Sequence, residues 1–219
     1  MSEYQTYREQ ARQAVIQGNF TIAYRLYEEL LRAYPANTDI LFDYGRAKYR
    51  EFSDLDQAAV LFKRILKQQP KSLDALLWLA DVSSLGYGPG YAEAANLYRQ
   101  AITLEPTCVE AYIGLGMLYK NPGSLVTLEE ALAAYRQAVV LRPTSAIVHN
   151  NLGYLLLEAG QIEEAIDELS EAVRLHQIAN VNTRNLQKDI EQLQRHEPVK
   201  RRAYFNDSTR YEWPEQEYV

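Results

Sequence analysis

Gly153-Tyr154-Leu155-Leu156-Leu157-Glu158-Ala159-Gly160-Gln161-Ile162-Glu163-Glu164-Ala165-Ile166 reads as a helix, a tight turn at Gly160, and a second helix folded back on the first. Leu152 and Leu156, then Ile162, Ala165, Ile166 and Leu169, fall at helical spacing and give each helix an apolar face. Gly153 and Ala165 are small where the two axes must come close. The same unit recurs four times upstream. Its second-helix alanine is Ala23, Ala58, Ala94, Ala131 and Ala165, at intervals of 35, 36, 37 and 34 residues.

Other slots recur with it. The small residue of the first helix is Ala11, Gly45, Ala80, Gly116 and Gly153. Four residues after the alanine stand Tyr27, Phe62, Tyr98, Tyr135 and Leu169. A proline closes the second helix at Pro35, Pro70, Pro106 and Pro143, because it lacks an N–H and clashes with the preceding turn. Gln177 takes that place in the fifth unit. A period near 34 with these residues resembles the tetratricopeptide repeat. The resemblance spans about residues 4–177. It implies an all-α, right-handed superhelical solenoid of five helix pairs, and it says little about the client, since such repeats serve many unrelated partners.

Composition narrows the function further. Net charge is -6 and the pI about 5.2, against the concentrated basic surface that nucleic acid requires, so no nucleic-acid partner is expected. Apolar residues make up 47%, enough for a continuous core. Cys108 is alone, so no internal disulfide forms, as fits a reducing compartment. The N-terminal stretch has no apolar run and no cationic start, and no run of 18 apolar residues follows. The expectation is a cytoplasmic protein.

Gly18-Asn19 marks the turn of the first repeat, and Ser53-Asp54-Leu55-Asp56 caps the second helix of the second. The internal turn enlarges to 86–90 in the third repeat and to 121–126 in the fourth, where Thr127 and Glu130 form a capping box. Two readings of these turns stand side by side: loop drift, or a second contact edge carrying Tyr87, Leu125 and Val126. Residues 178–195 read as a capping element, with Leu186, Ile190 and Leu193 on one helix face covering the end of repeat five. From 196 to 219 the pattern stops. This basic and aromatic tail is either disordered or docks through Tyr204, Phe205, Tyr211, Trp213 and Tyr218.

No catalytic constellation stands out, so no enzyme, cofactor or metal site is expected. His149, His176 and His196 share no metal-ligand spacing, and one cysteine cannot build a zinc site. His149 reads as a packed residue. His176 lies near a helix C-terminus, where the dipole favours a cation. Gly114-Leu115-Gly116 sits inside a helix pattern rather than between a strand and a helix.

In the resembled family the first helices line a concave face. The register puts Arg8 and Arg12 there in repeat one, Phe42, Arg46 and Tyr49 in repeat two, and Leu77 and Asp81 in repeat three. It adds Ile113, Met117 and Lys120 in repeat four, and Asn150 and Tyr154 in repeat five. This face is basic at its N-terminal end and apolar in its middle. It departs from the family's clamp for chaperone C-termini, since Asp43 would repel a carboxylate where that clamp has asparagine. The expected function is a non-enzymatic adaptor or assembly factor that holds a segment of another protein in the groove. The alternative is a self-associating scaffold whose tail fills its own or a neighbour's groove. Lys200-Arg201-Arg202 would add only about 3 kcal/mol at an anionic surface, so membrane contact is at most indirect.

Overall fold

The computed structural model describes residues 3–51, 54–85, 90–121, 123–179, 182–197 and 199. Among them the chain forms eleven α-helices and no strand. These are α1 (Glu3–Ile16), α2 (Phe20–Ala33), α3 (Thr38–Glu51), α4 (Leu55–Gln68), α5 (Leu73–Ser84), α6 (Gly90–Leu104), α7 (Val109–Met117), α8 (Leu128–Leu141), α9 (Ala146–Glu158), α10 (Ile162–Ile178) and α11 (Arg184–Gln194). They pair as α1–α2, α3–α4, α5–α6, α7–α8 and α9–α10, with α11 against α10. The chain divides into two compact units. One holds α1–α6 with residues 120–125, the other α7–α11.

Each pair closes on the slots that recur in the sequence. The five alanines are fully buried, and so are Tyr27, Phe62, Tyr98, Tyr135 and Leu169 one turn later. Those larger side chains reach across onto the small slot of the partner helix. A Cβ placed on Gly45 would stand 2.8 Å from the Phe62 ring, one on Gly116 2.7 Å from Tyr135, and one on Gly153 2.7 Å from Leu169. In these three pairs the two slots are one contact, a large side chain laid on a bare backbone.

Helix ends repeat as faithfully. Tyr34, Gln69, Glu105 and Arg142, each just before a proline, donate their N–H to the carbonyl four residues back at 2.8 Å. The proline then forces that residue out of the helical region. With Gln177 in the proline slot, α10 runs on to Ile178 and reaches 17 residues, against 14 for α8. The cap of α4 falls one residue later than the leading serine suggests: the Asp54 carboxylate accepts from the Gln57 N–H at 3.0 Å, and Ser53 lies outside the described residues. Thr127 caps α8 by accepting from the Glu130 N–H at 3.2 Å, as its motif implies. Of the three side chains named for a second contact edge, the described residues place two. Leu125 is exposed, but Val126 is buried, and Tyr87 lies outside the described residues.

Candidate functional site: the inner faces of the first helices

In the first unit, α1 and α3 meet through one buried carboxylate. Asp43 accepts from the Arg8 Nε at 2.6 Å and from the Arg12 Nε at 3.0 Å, while its other oxygen accepts from the Arg12 Nη2 at 3.1 Å. Arg8 also donates to Asp39 at 3.1 Å. Burial works against the charge of Arg8, but the hydrogen bond and the negative charge of Asp43 outweigh it and raise its pKa. Arg8 and Arg12, which the register puts on the concave face, are thus engaged by Asp43, which lowers what they offer outward. The signal is in the sequence, since Arg8 and Asp43 stand 35 residues apart, one repeat.

One turn further along α3 the face becomes aromatic. Trp78, on α5, is the hub of this patch, a role that the repeat register does not single out. It stacks on Phe62 at 5.9 Å with an interplanar angle of 17°, and meets Phe42 and Tyr49 edge-on at 6.4 and 5.2 Å. The Arg46 guanidinium lies over both Trp78 and Phe42, 5.3 and 5.8 Å from their centroids. Such cation–π contacts are worth roughly 0.5–2 kcal/mol and hold the flat guanidinium against the rings. Phe42, Arg46 and Tyr49 remain half-buried, while Trp78 is buried. They form a shared surface of rings and one cation. Leu77 and Asp81 do not join it. Leu77 is buried, and buried Asp81 accepts from the Tyr98 hydroxyl at 2.6 Å, which ties α5 to α6.

In the second unit Ile113 is buried and Met117 half-buried at the end of α7, and Asn150 is buried on α9. Lys120 lies beyond α7 and is exposed. Tyr154 is half-buried, and its hydroxyl donates to the buried carboxylate of Asp189 on α11 at 2.7 Å. Leu186, Ile190 and Leu193 do face the end of the fifth pair: Ile190 and Leu193 complete a cluster with Leu169 and Val173, and Tyr154, Leu157, Ile166, Leu186 and Val199 pack around it. Helical spacing alone leaves Asp189 off that apolar face. Its distance from Tyr154 is the same 35 residues that joins Arg8 to Asp43, so the repeat period itself points to the bond. Tyr154→Phe removes a donor to a buried carboxylate and is expected to cost about 1–3 kcal/mol. Hydrogen exchange should show the loss first in α11.

His149 is a packed residue, as its position suggests. Its Nδ1 lies 2.6 Å from the Glu168 carboxylate and its Nε2 2.9 Å from the Pro143 carbonyl, which locks α9 to α10 and to the end of α8. His176 stands in the last turn of α10, and burial holds it below the usual imidazole range. A depressed histidine makes the folded state bind fewer protons than the unfolded chain below about pH 6.5. Stability should therefore fall as the pH drops through that value. Urea midpoints at about pH 7.5 and 5.5, on either side of the ordinary histidine pKa, test this. Part of the difference should vanish in His176→Gln. Burial also pushes the Cys108 thiol up, away from a reactive thiolate. Among the described residues no cluster of three histidine, cysteine or acidic side chains could hold a metal ion. Nor is any helix among them long and apolar enough to cross a membrane.

Sequence profiles of the tetratricopeptide repeat match residues 8–59 and 146–177, and a profile of the TPR repeat matches 127–160. Over these stretches the chain is built of tetratricopeptide repeats. Solved structures share the fold of these repeats. A crystal structure of MamA aligns over 91% of this chain and 98% of its own, at 20% identity and a TM-score of 0.69. MamA 41-end from Desulfovibrio magneticus RS-1 aligns over 81% and 97%, at 22% identity and a TM-score of 0.70. TTC0263, a thermophilic TPR protein in Thermus thermophilus, aligns over 87% and 98%, at 18% identity and a TM-score of 0.58. No curated protein sequence matches the chain. Tetratricopeptide-repeat proteins are in general interaction scaffolds without catalytic chemistry of their own. The tail residues Tyr204, Phe205, Tyr211, Trp213 and Tyr218, expected as docking groups, lie outside the described residues.

Proposed function

We propose that this protein is a non-enzymatic adaptor or assembly factor that holds a segment of a partner protein against the inner faces of its first helices. The observation that carries this reading is the ring-and-guanidinium patch of Phe42, Arg46 and Tyr49 backed by Trp78. Aromatic side chains and arginine dominate the energetics of protein interfaces, because they bury much area at small entropic cost and keep a polar edge. Half-buried rings are already fixed by their neighbours, so a partner has little more to order. The patch suits a segment with apolar anchors beside an acidic group, the carboxylate meeting Arg46. Arg8 and Arg12 act behind it, by setting α1 against α3 rather than by meeting the partner first.

Leu77 and Ile113 are buried, each in its own unit, and offer a partner little surface, while half-buried Met117 belongs to the second unit and exposed Lys120 to the first. Cys108, single and buried, favours the cytoplasm as the working compartment. The reading is tested by affinity capture from native lysate with the full chain and with its Arg46→Glu, Tyr49→Ala variant. A protein retained by the first and lost from the second, with both chains equally folded by circular dichroism, supports it. Identical retained sets overturn it.

A further inference from the structure

A cavity of about 480 Å³ opens between α1 and α2. Buried Ala14 and Leu26 form its floor, exposed Ile22 stands on its wall, and exposed Gln10, Gln13 and Arg25 rim it. The next repeat contains the same groove. Gln10, Ile22 and Leu26 correspond by register to Tyr44, Gln57 and Leu61, and those three line the space between α3 and α4. There the groove faces α2, whose Glu28, Leu31 and Arg32 complete its lining. The Tyr44 ring meets Tyr24 at 5.5 Å and stacks on Tyr27 at 5.3 Å, and its hydroxyl donates to Glu28 at 3.3 Å. The Lys48 ammonium lies 3.9 Å from the Tyr24 centroid. Tyr24, Tyr27, Glu28 and Leu31 stand at i, i+3, i+4 and i+7, one stripe of one helix. With that helix in place the space is about 290 Å³. In the first pair the counterparts of Tyr44 and Lys48 are Gln10 and Ala14, shorter side chains that deepen the groove.

We propose that the α1–α2 groove is a second docking surface, apart from the aromatic patch, and that it takes an amphipathic helix of another protein. That helix carries large apolar side chains at i, i+4 and i+7 over Ala14, Ile22 and Leu26, with a carboxylate beside them for Arg25. The first argument is continuity with the interface one repeat on, where the same groove lies against a helix, α2, that presents a stripe of this kind. Ridges of a helix seat in the groove between two others, whereas an extended strand offers no such ridge. The second argument is charge. On the rim the Glu9 carboxylate is engaged by the Gln13 amide at 2.9 Å, while Arg25 is an exposed cation, so the groove suits an acidic neighbour. The third concerns the source of the helix. In this chain α2, α4, α8 and α10 each pack against the helix that follows, α3, α5, α9 and α11, which favours a foreign helix over one from a second copy. The partner's helix then extends the stack by one layer, as α11 does at the last pair with Ile190 and Leu193.

Titration calorimetry of the full chain with a stapled, alanine-based helical peptide tests this. The peptide has leucines at i, i+4 and i+7 and a glutamate at i+3; its reference has the same composition with the leucines spread around the helix. The striped peptide should bind about tenfold more tightly than the reference. Ile22→Glu and Arg25→Glu, both at exposed positions, should each remove about that factor, with the fold intact by circular dichroism. Arg46→Glu with Tyr49→Ala should leave the affinity unchanged. Equal binding of the two peptides, or binding of neither, overturns the proposal. So does binding that Ile22→Glu spares, which would place the peptide elsewhere. Sedimentation of the chain alone gives the remaining outcome: a dimer that Ile22→Glu splits puts a second copy in the groove and overturns the foreign helix. The aromatic patch takes no part in these results, so this proposal and the reading of that patch fail separately.

Discussion

Gly153→Val is expected to lower the stability of the chain by about 3 kcal/mol, near the upper end for overpacking, because nothing around the site can yield cheaply. A Cβ alone would stand 2.7 Å from both Cγ and Cδ2 of Leu169 and 3.3 Å from the backbone oxygen of Ala165. Leu169 is itself fully buried and belongs to the cluster under α11, so it has no empty rotamer to take up. The helices must part, and parting them loosens the cap as well. Urea unfolding gives the size of the effect. A double variant with Leu169→Ala identifies its cause. Leu169→Ala alone leaves a cavity and should cost about 2–5 kcal/mol. Combined with Gly153→Val it should cost less than the two together, since each change makes room for the other. Strict additivity would mean that the two side chains do not meet.

Removing both arginines from Asp43 should have an effect of similar size. Arg8→Ala leaves the carboxylate with the two bonds from Arg12, and Arg12→Ala leaves it with Arg8 at 2.6 Å, so each single change should cost about 1 kcal/mol. The double change strands an ionised group that is 5% exposed. Breaking a buried pair in this way costs about 3–5 kcal/mol, far more than the sum of its parts. Adding Asp43→Leu removes the stranded charge and should recover most of the loss. If Arg8→Ala, Arg12→Ala and Asp43→Leu together prove no better than the arginine pair alone, the carboxylate is not what the arginines are there to hold.

The repeats are legible in the sequence because the large and small slots recur in every pair, and where the small residue is glycine, at 45, 116 and 153, the large one lies directly on it. The stops are legible because proline acts locally. Gln177 marks a departure whose consequence, a longer α10, follows from the same rule. The inner face is legible only in direction. Phe42, Leu77, Ile113 and Asn150 share one register position, yet Phe42 stays half-buried while the other three are buried. Register fixes where the Cα–Cβ bond points, and it does not say which large neighbour leans over it. Trp78 shows the converse: one position after Leu77, it reaches back across Phe62 and Phe42 and turns separate rings into a patch. The charges mislead for a related reason. Arg8, Arg12 and Tyr154 read as facing a partner, when the arginines have a carboxylate in the next repeat and Tyr154 has one on the capping helix. Pairs 31 or 35 residues apart become visible only when positions are compared between repeats.

The most direct test of the central claim is site-specific photocrosslinking in native lysate. A photoreactive phenylalanine analogue would replace Tyr49 in one chain and Val60, exposed on α4, in another. If the inner face of the first unit holds the partner, the label at 49 should join the chain to one discrete protein segment, and the label at 60 should not. Equal crosslinking from both positions, or none from 49 while the partner is still captured, would contradict the account and move the binding surface elsewhere.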